Sequence, residues 1–271
     1  MKTSKTQDGG YQPLRICFER ILPQELDTGR GTRHAIRDLL ARDRHGKSFK
    51  SLSSGPRHDV MRMALVISKK WAPGTVLKCR FLDGSPKMRA KVQKMAHKWE
   101  QYEAIKLKFG DDADAQIRIS FHADSGSWSG VGTDVLNKSY FPAGKPTMNF
   151  GWLRDDTDNG EYERVVVHEF GHALGCIHEH ESPKFTRKWN KAAVYKAFGG
   201  PPNNWSKADI DSNVLDKYSP KGISATEFDP KSIMLYAFAA ELFSDGLGPT
   251  NENKTLSSMD KKKIREMYPK K

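Results

Sequence analysis

His168-Glu169-Phe170-Gly171-His172-Ala173-Leu174-Gly175-Cys176-Ile177-His178 reads H-E-x-x-H-x-x-G-x-x-H. Histidines four apart project from one face of a helix, so His168 and His172 can point at a single metal ion. Gly175 can adopt the left-handed backbone conformation that ends a helix and turns the chain. Such a turn brings His178 round to the same ion. Three neutral imidazoles leave a tetrahedral zinc with its fourth position open to water, as in catalytic rather than structural sites. Glu169 is placed beside the first ligand to take a proton from that water. The stretch therefore predicts Zn2+ held by His168, His172 and His178, with Glu169 as general base in the hydrolysis of peptide bonds.

A second stretch lies downstream: Phe228-Asp229-Pro230-Lys231-Ser232-Ile233-Met234-Leu235-Tyr236. Ser-Ile-Met-x-Tyr after the long zinc motif resembles the Met-turn of the metzincin clan. Glu179, directly after the third histidine, is the residue astacins carry there. On these motifs the chain resembles an astacin-like metzincin protease of the microbial type. The stretches Arg80-Phe81-Leu82-Asp83-Gly84, Pro146 to Trp152 and Gly200 to Trp205 are also similar to microbial members, and the resemblance covers roughly residues 71 to 271.

The resemblance implies an α+β fold of two subdomains. The upper one holds a twisted mixed sheet and the active-site helix, the C-terminal one is irregular, and zinc sits in the cleft between them. It implies that Tyr236 joins the zinc or stabilises the transition state, making it the second catalytic residue. Met234 is read as a packing floor under the histidines, because a thioether is a poor partner for zinc held by nitrogen. One strand of the upper sheet is expected to pair with extended substrate, and Thr147 to Leu153 is read as that strand. In astacins the residue at the position of Glu179 contacts the amine exposed by removal of a pro-segment. Here, either the N-terminal extension is a pro-segment or Glu179 has an internal basic partner.

The chain has 271 residues, 37% hydrophobic and 29% charged, enough for a sizeable core. No apolar run approaches the ~20 residues that cross a bilayer. Residues 1 to 10 carry lysines but no apolar segment, so no secretory signal is read there. The expectation is a cytoplasmic or leaderless secreted protein, or one whose leader has been removed. The three cysteines, Cys17, Cys79 and Cys176, are too few and too scattered for a disulfide framework. The net charge of +12 is spread along the chain without a nucleic-acid-binding signature. It is read as solvated basic surface that also suits an acidic protein partner. The expected partner is a polypeptide substrate, with no specific nucleic acid and no membrane.

Residues 1 to 70 form an extension, either a pro-segment or a packing layer, with a short helix from Thr32 to Arg44, a linker from Lys47 to Arg57, and an apolar stretch from Val60 to Ile67. Residues 71 to 271 form the catalytic domain, 71 to 178 being the upper subdomain and 179 to 271 the lower. Strands are expected at Val76 to Leu82, Lys106 to Phe109, Gln116 to Phe121 and Thr147 to Leu153. Pro86 to Ile105 reads as a long helix and the glycine- and serine-rich Ser125 to Gly132 as a loop. The zinc helix is expected from about Glu161 to Leu174, capped by Asp158 or Asn159. Further helices are expected at Asn190 to Phe198 and Leu256 to Tyr268. His34, His45, His58, His97, His122 and His180 are read as exposed or packing residues. Cys17 is the sharpest candidate in the extension for the open zinc position, since a thiolate is a strong zinc ligand; Asp8 and Asp27 are alternatives. Two rival readings remain at this point: a non-catalytic basic binding protein on a zinc scaffold, and a zinc amidase acting on a non-protein amide.

Overall fold

The computed structural model describes residues 17–20, 69–123, 126–200, 203–217 and 227–270. The predicted helix at Thr32 to Arg44, the linker, the apolar stretch before Lys69, Asp8 and Asp27 lie outside these residues. From the extension, β1 (Cys17–Arg20) is described. After it come β2 (Val76–Phe81), α1 (Pro86–Ala96), β3 (Lys106–Phe109), β4 (Ile117–Ser120), β5 (Ser127–Gly130) and β6 (Met148–Phe150). Then come α2 (Asn159–Ala173), α3 (Lys191–Gly199), the single turn α4 (Lys207–Ile210) and α5 (Ser258–Met267). Ser85, Asp158, Asn190 and Ser257 cap α1, α2, α3 and α5 by accepting from backbone N–H groups.

One mixed sheet runs β1-β5-β6-β4-β2-β3. β2, β3, β4 and β6 are parallel, β5 is antiparallel to β6, and β1 joins the outer side of β5 in parallel. α1 and α2 pack together against the sheet through Val92, Met95, Ala96, Val166 and Phe170, all in the buried core. No helix among the described residues is long and apolar enough to cross a membrane.

The structure departs from the sequence reading in three places. The stretch read as a loop contains β5. Three of its four residues are small and all four are buried, so neither alternation nor β-branched content marks it. Its strand character comes from the ladders with β6 and β1. The substrate-pairing strand read as Thr147 to Leu153 is not an edge: β6 lies between β4 and β5. β5 lies beyond β6, with β1 on its outer side. The helix expected to run to Ile105 ends at Ala96 and tightens into a 3-10 turn at Trp99–Gln101. That turn seats Trp99 in the core, where its indole Nε1 donates to the Val167 carbonyl at 2.9 Å.

Candidate active site

α2 is buried over its whole second half, from Val165 to Ala173. Such a helix presents histidines to the interior only if each side chain finds a partner. Gly171 lies between the two histidines because nothing larger fits: a Cβ there would stand 2.5 Å from the Met234 sulfur and 3.2 Å from the Trp99 ring. The helix ends in a Schellman pair. Gly175 N–H donates to the His172 carbonyl at 2.7 Å and Cys176 N–H to the Gly171 carbonyl at 2.9 Å. Gly175 has φ +94°, a conformation that L side chains rarely adopt. This turn carries His178 back over the helix.

The three imidazoles then converge. Their Nε2 atoms lie 3.2 Å apart for His168–His172, 3.3 Å for His168–His178 and 3.0 Å for His172–His178. Ligands roughly 2.0–2.1 Å from a tetrahedral zinc would be roughly 3.3 Å apart. The other ring nitrogens fix the tautomers of two of them. His168 Nδ1 donates to the Ile233 carbonyl at 2.8 Å and His172 Nδ1 to the Cys176 carbonyl at 2.9 Å. Both Nε2 lone pairs therefore face inward, a convergence that a cation between them resolves. Burial keeps all three rings neutral. His172 is held down to about 4, and His168 and His178 well below the ordinary histidine range. The donor set, spacing and protonation fit zinc.

Glu169 is fully buried beside the cluster. The Cys17 thiol of β1 lies beside it: ligand atoms of Cys17, His168 and Glu169 all lie within 4.8 Å of one another. Burial, with the Glu169 charge next in importance, pushes the thiol well above its ordinary range. Tyr236 stacks against the histidines, its ring 4.2 Å from His178 and 5.7 Å from His168. Its hydroxyl donates to the Cys17 backbone carbonyl. A backbone carbonyl from elsewhere in the chain thus already lies against the tyrosine hydroxyl.

The site rests on a floor held by α5. The tight turn Ser232–Leu235 (Leu235 N–H to Ser232 carbonyl, 3.1 Å) brings Met234 beneath α2. Asp260 accepts from Ser232 Oγ at 2.7 Å and from the N–H groups of Ile233 and Ser257 at 2.9 Å each. The residue whose carbonyl orients His168 is thereby tied by its own N–H to α5. Glu179 accepts from Asp229 N–H at 2.9 Å and lies 3.4 Å from Lys263 Nζ. Glu179 therefore has an internal basic partner, Lys263, with β1 in place. Burial raises its carboxyl, and Lys263 opposes that.

Sequence reasoning missed Asp260 and Lys263. Ser257 or Ser258 reads as the helix start, but nothing there marks Asp260, which both closes a capping box with Ser257 and reaches Ser232 and Ile233. His180, read as exposed or packing, is fully buried, with Nε2 on the Asn213 carbonyl at 3.1 Å, and burial holds it down to about 3. His178, His180 and Glu181 form a second close group, with Glu181 Oε1 4.0 Å from His178 Nδ1. His97 and His122 stand apart from the site, at 3.1 Å from Glu100 and Asp83 respectively.

The Matrixin family profile matches residues 70–197. A solved structure of myroilysin is 39% identical, covers 76% of this chain and 98% of its own, and superposes with a TM-score of 0.71. A crystal structure of myroilysin gives 39% identity over 75% of this chain and 87% of its own, with a TM-score of 0.60. High choriolytic enzyme 1, a hatching-enzyme zinc protease of the medaka fish Oryzias latipes, shares the fold at 17% identity, over 75% of this chain and 96% of its own, with a TM-score of 0.50. No curated protein matches the chain. The histidine cluster, the fold and the likeness to myroilysin agree: the chain belongs to the metzincin-type zinc metallopeptidases and is a zinc-dependent endopeptidase.

Proposed function

We propose that His168, His172 and His178 hold the zinc, that Glu169 and Tyr236 carry the reaction, and that the N-terminal extension restrains it through Cys17. When bound, zinc supplies Lewis acidity toward a water molecule and the scissile carbonyl. Glu169 accepts the proton of the attacking water and delivers it to the leaving amine. Its burial next to the ligands strengthens that role, since a positioned base contributes typically ~10²–10⁴-fold. The Tyr236 hydroxyl donates to the carbonyl oxygen as charge develops there. The observation that carries this reading is its existing hydrogen bond to the Cys17 backbone carbonyl, a stand-in for a substrate carbonyl. Ser232 to Tyr236 is read as the Met-turn, with Met234 packing under Gly171 rather than binding metal.

β1 supports the restraint. It lies on β5, the edge that substrate would use, with Cys17 opposite Ser127 and its thiol beside Glu169. Residues 1 to 70 then act as a pro-segment and residues 71 to 271 as the protease, with the cleft between 71–178 and 179–271. The substrate is a polypeptide. The basic surface suits acidic partners.

Casein hydrolysis, with and without chelator, tests the reading on the full chain and after limited proteolysis of the extension. Activity should rise on proteolysis, fall with chelator, and be almost abolished by Glu169→Gln while zinc stays bound. Cys17→Ala should raise the activity of the full chain severalfold. Near-normal turnover by Glu169→Gln would assign the base elsewhere, and equal rates for Cys17→Ala and the parent chain would remove the restraint.

A further inference from the structure

β1 carries a second side chain with a built environment. The Arg20 guanidinium carbon lies 4.5 Å from the centre of the Trp128 ring, 5.0 Å from that of Tyr140 and 5.3 Å from that of Phe141. Tyr140 and Phe141 meet edge-on, 4.8 Å apart at 81°, so the two rings brace each other. Trp128 and Phe141 are buried and Tyr140 is half-buried. Gly130, the partner of Arg20 in the ladder, makes room for the box: a Cβ there would stand 2.7 Å from Val135 and 2.8 Å from Phe141. Among the described residues no carboxylate is paired with Arg20, so the aromatic faces supply its recognition. A planar, weakly hydrated guanidinium suits such faces better than an ammonium does.

We infer that Trp128, Tyr140 and Phe141 form a substrate subsite for an arginine side chain, and less well for a lysine, which Arg20 fills while β1 is in place. This rests on the reading of β5 as the substrate edge and β1 as its occupant. Arg20 lies three residues from Cys17, roughly 10 Å along an extended chain. A substrate added to β5 in the stronger antiparallel sense would run opposite to β1. With the Cys17 carbonyl standing for the scissile one, it would then bring to the box the fourth residue on the amino-terminal side of the scissile bond. The subsite is a neutral box within a chain of net charge +12, and it selects a cation through ring quadrupoles rather than through a fixed negative charge.

Two fluorogenic peptides that differ only in arginine or citrulline at that residue would test the inference. Citrulline keeps the shape and removes the charge. With the full chain activated by limited proteolysis, the arginine peptide should show about tenfold higher kcat/KM, carried mainly by KM. Tyr140→Ala should reduce the arginine-over-citrulline preference to threefold or less, while Tyr140→Phe should keep it. Equal rates for the two peptides, or a preference that survives Tyr140→Ala, would overturn the subsite. If neither peptide nor casein is cleaved, the endopeptidase reading itself fails. The box is then judged in the full chain alone by labelling of Cys17 with a thiol reagent, read by peptide mass. Arg20→Ala should speed labelling severalfold and Arg20→Lys less so. An unchanged labelling rate would overturn the box as a cation site.

Discussion

Replacing Asp260 by alanine should damage a zinc site that the side chain never touches. Asp260 is buried and its carboxylate accepts three hydrogen bonds, from Ser232 Oγ, Ile233 N–H and Ser257 N–H. Bonds to a charged acceptor contribute ~1.5–3 kcal/mol each on removal, and three that share one acceptor are not additive. Ser257 is at a helix terminus and can turn to water; Ser232 and Ile233 are buried and cannot. Two stranded interior donors put the loss at about 3–5 kcal/mol. A second effect follows from the chain of contacts. Ile233 also supplies the carbonyl that takes the His168 Nδ1 proton. Loss of a partner that orients a ligand typically weakens metal binding ~10–100-fold. By linkage, that removes a further ~1.4–2.7 kcal/mol from the zinc-loaded protein. The assays are chelator competition for zinc affinity and thermal melting with and without metal. Melting should fall by about 10 °C or more in a chain of this length. Asp260→Asn, which keeps one acceptor oxygen, should fall between the variant and the parent. Unchanged zinc affinity together with a melting shift under about 2 °C would refute the argument.

Other consequences are more local. Gly171→Ala places a methyl group 2.5 Å from the Met234 sulfur, so Met234 must move; overpacking of this kind costs about 1–3 kcal/mol, and urea unfolding should report it. A variant as stable as the parent would mean that Met234 has room to shift freely. Glu103 is buried, and its burial pushes the carboxyl up from 4.5 to about 7 against the stabilising Ile105 N–H. An acid whose folded pKa is raised costs nothing below the unfolded value; the cost grows as pH rises between the two and is complete above the folded value. Glu103→Gln should therefore gain about 2–3 kcal/mol on the parent between pH 4 and pH 8. Parallel stability curves over that range would show that the carboxyl titrates normally.

The parts of the fold that were legible carry their signal inside one element. α2 was bounded within two residues at each end, because Asp158 announces the start and Gly175 the stop. β2, β3 and β4 alternate or are strongly apolar, and their limits were read within a residue or so. β5 failed for a physical reason. Ser127, Ser129 and Gly130 have the composition of a loop, and they form a strand only because β6 and β1 offer hydrogen bonds on both sides. Propensity is a weak guide where tertiary partners decide. Misplacing β5 also left β6 to be read as an edge, although β6 lies between β4 and β5.

The site divides along the same line. The three ligands and the adjacent glutamate fall within eleven residues, so helical periodicity and one glycine sufficed to bring them together. What orients them comes from far away. The His168 ring is set by a carbonyl 65 residues distant, and Tyr236 reaches a carbonyl 219 residues before it. Lys263 answers Glu179 across 84 residues. No local pattern marks such partners, because each is an ordinary residue whose role exists only once the chain has closed. Cys17 is a distant residue that the sequence does single out, as a candidate for the open zinc position, and in the structure its thiol lies within 4.8 Å of ligand atoms of His168 and Glu169. Its chemistry singled it out, since a thiol able to become a strong zinc ligand stood in an extension ahead of an open zinc position. Reactivity is a property of the residue type and survives in a bare sequence. Hydrogen-bonding geometry is a property of the fold. Asp260 and Arg20 were therefore invisible until their surroundings were known, and the experiments on those two residues test what the structure adds to the motif.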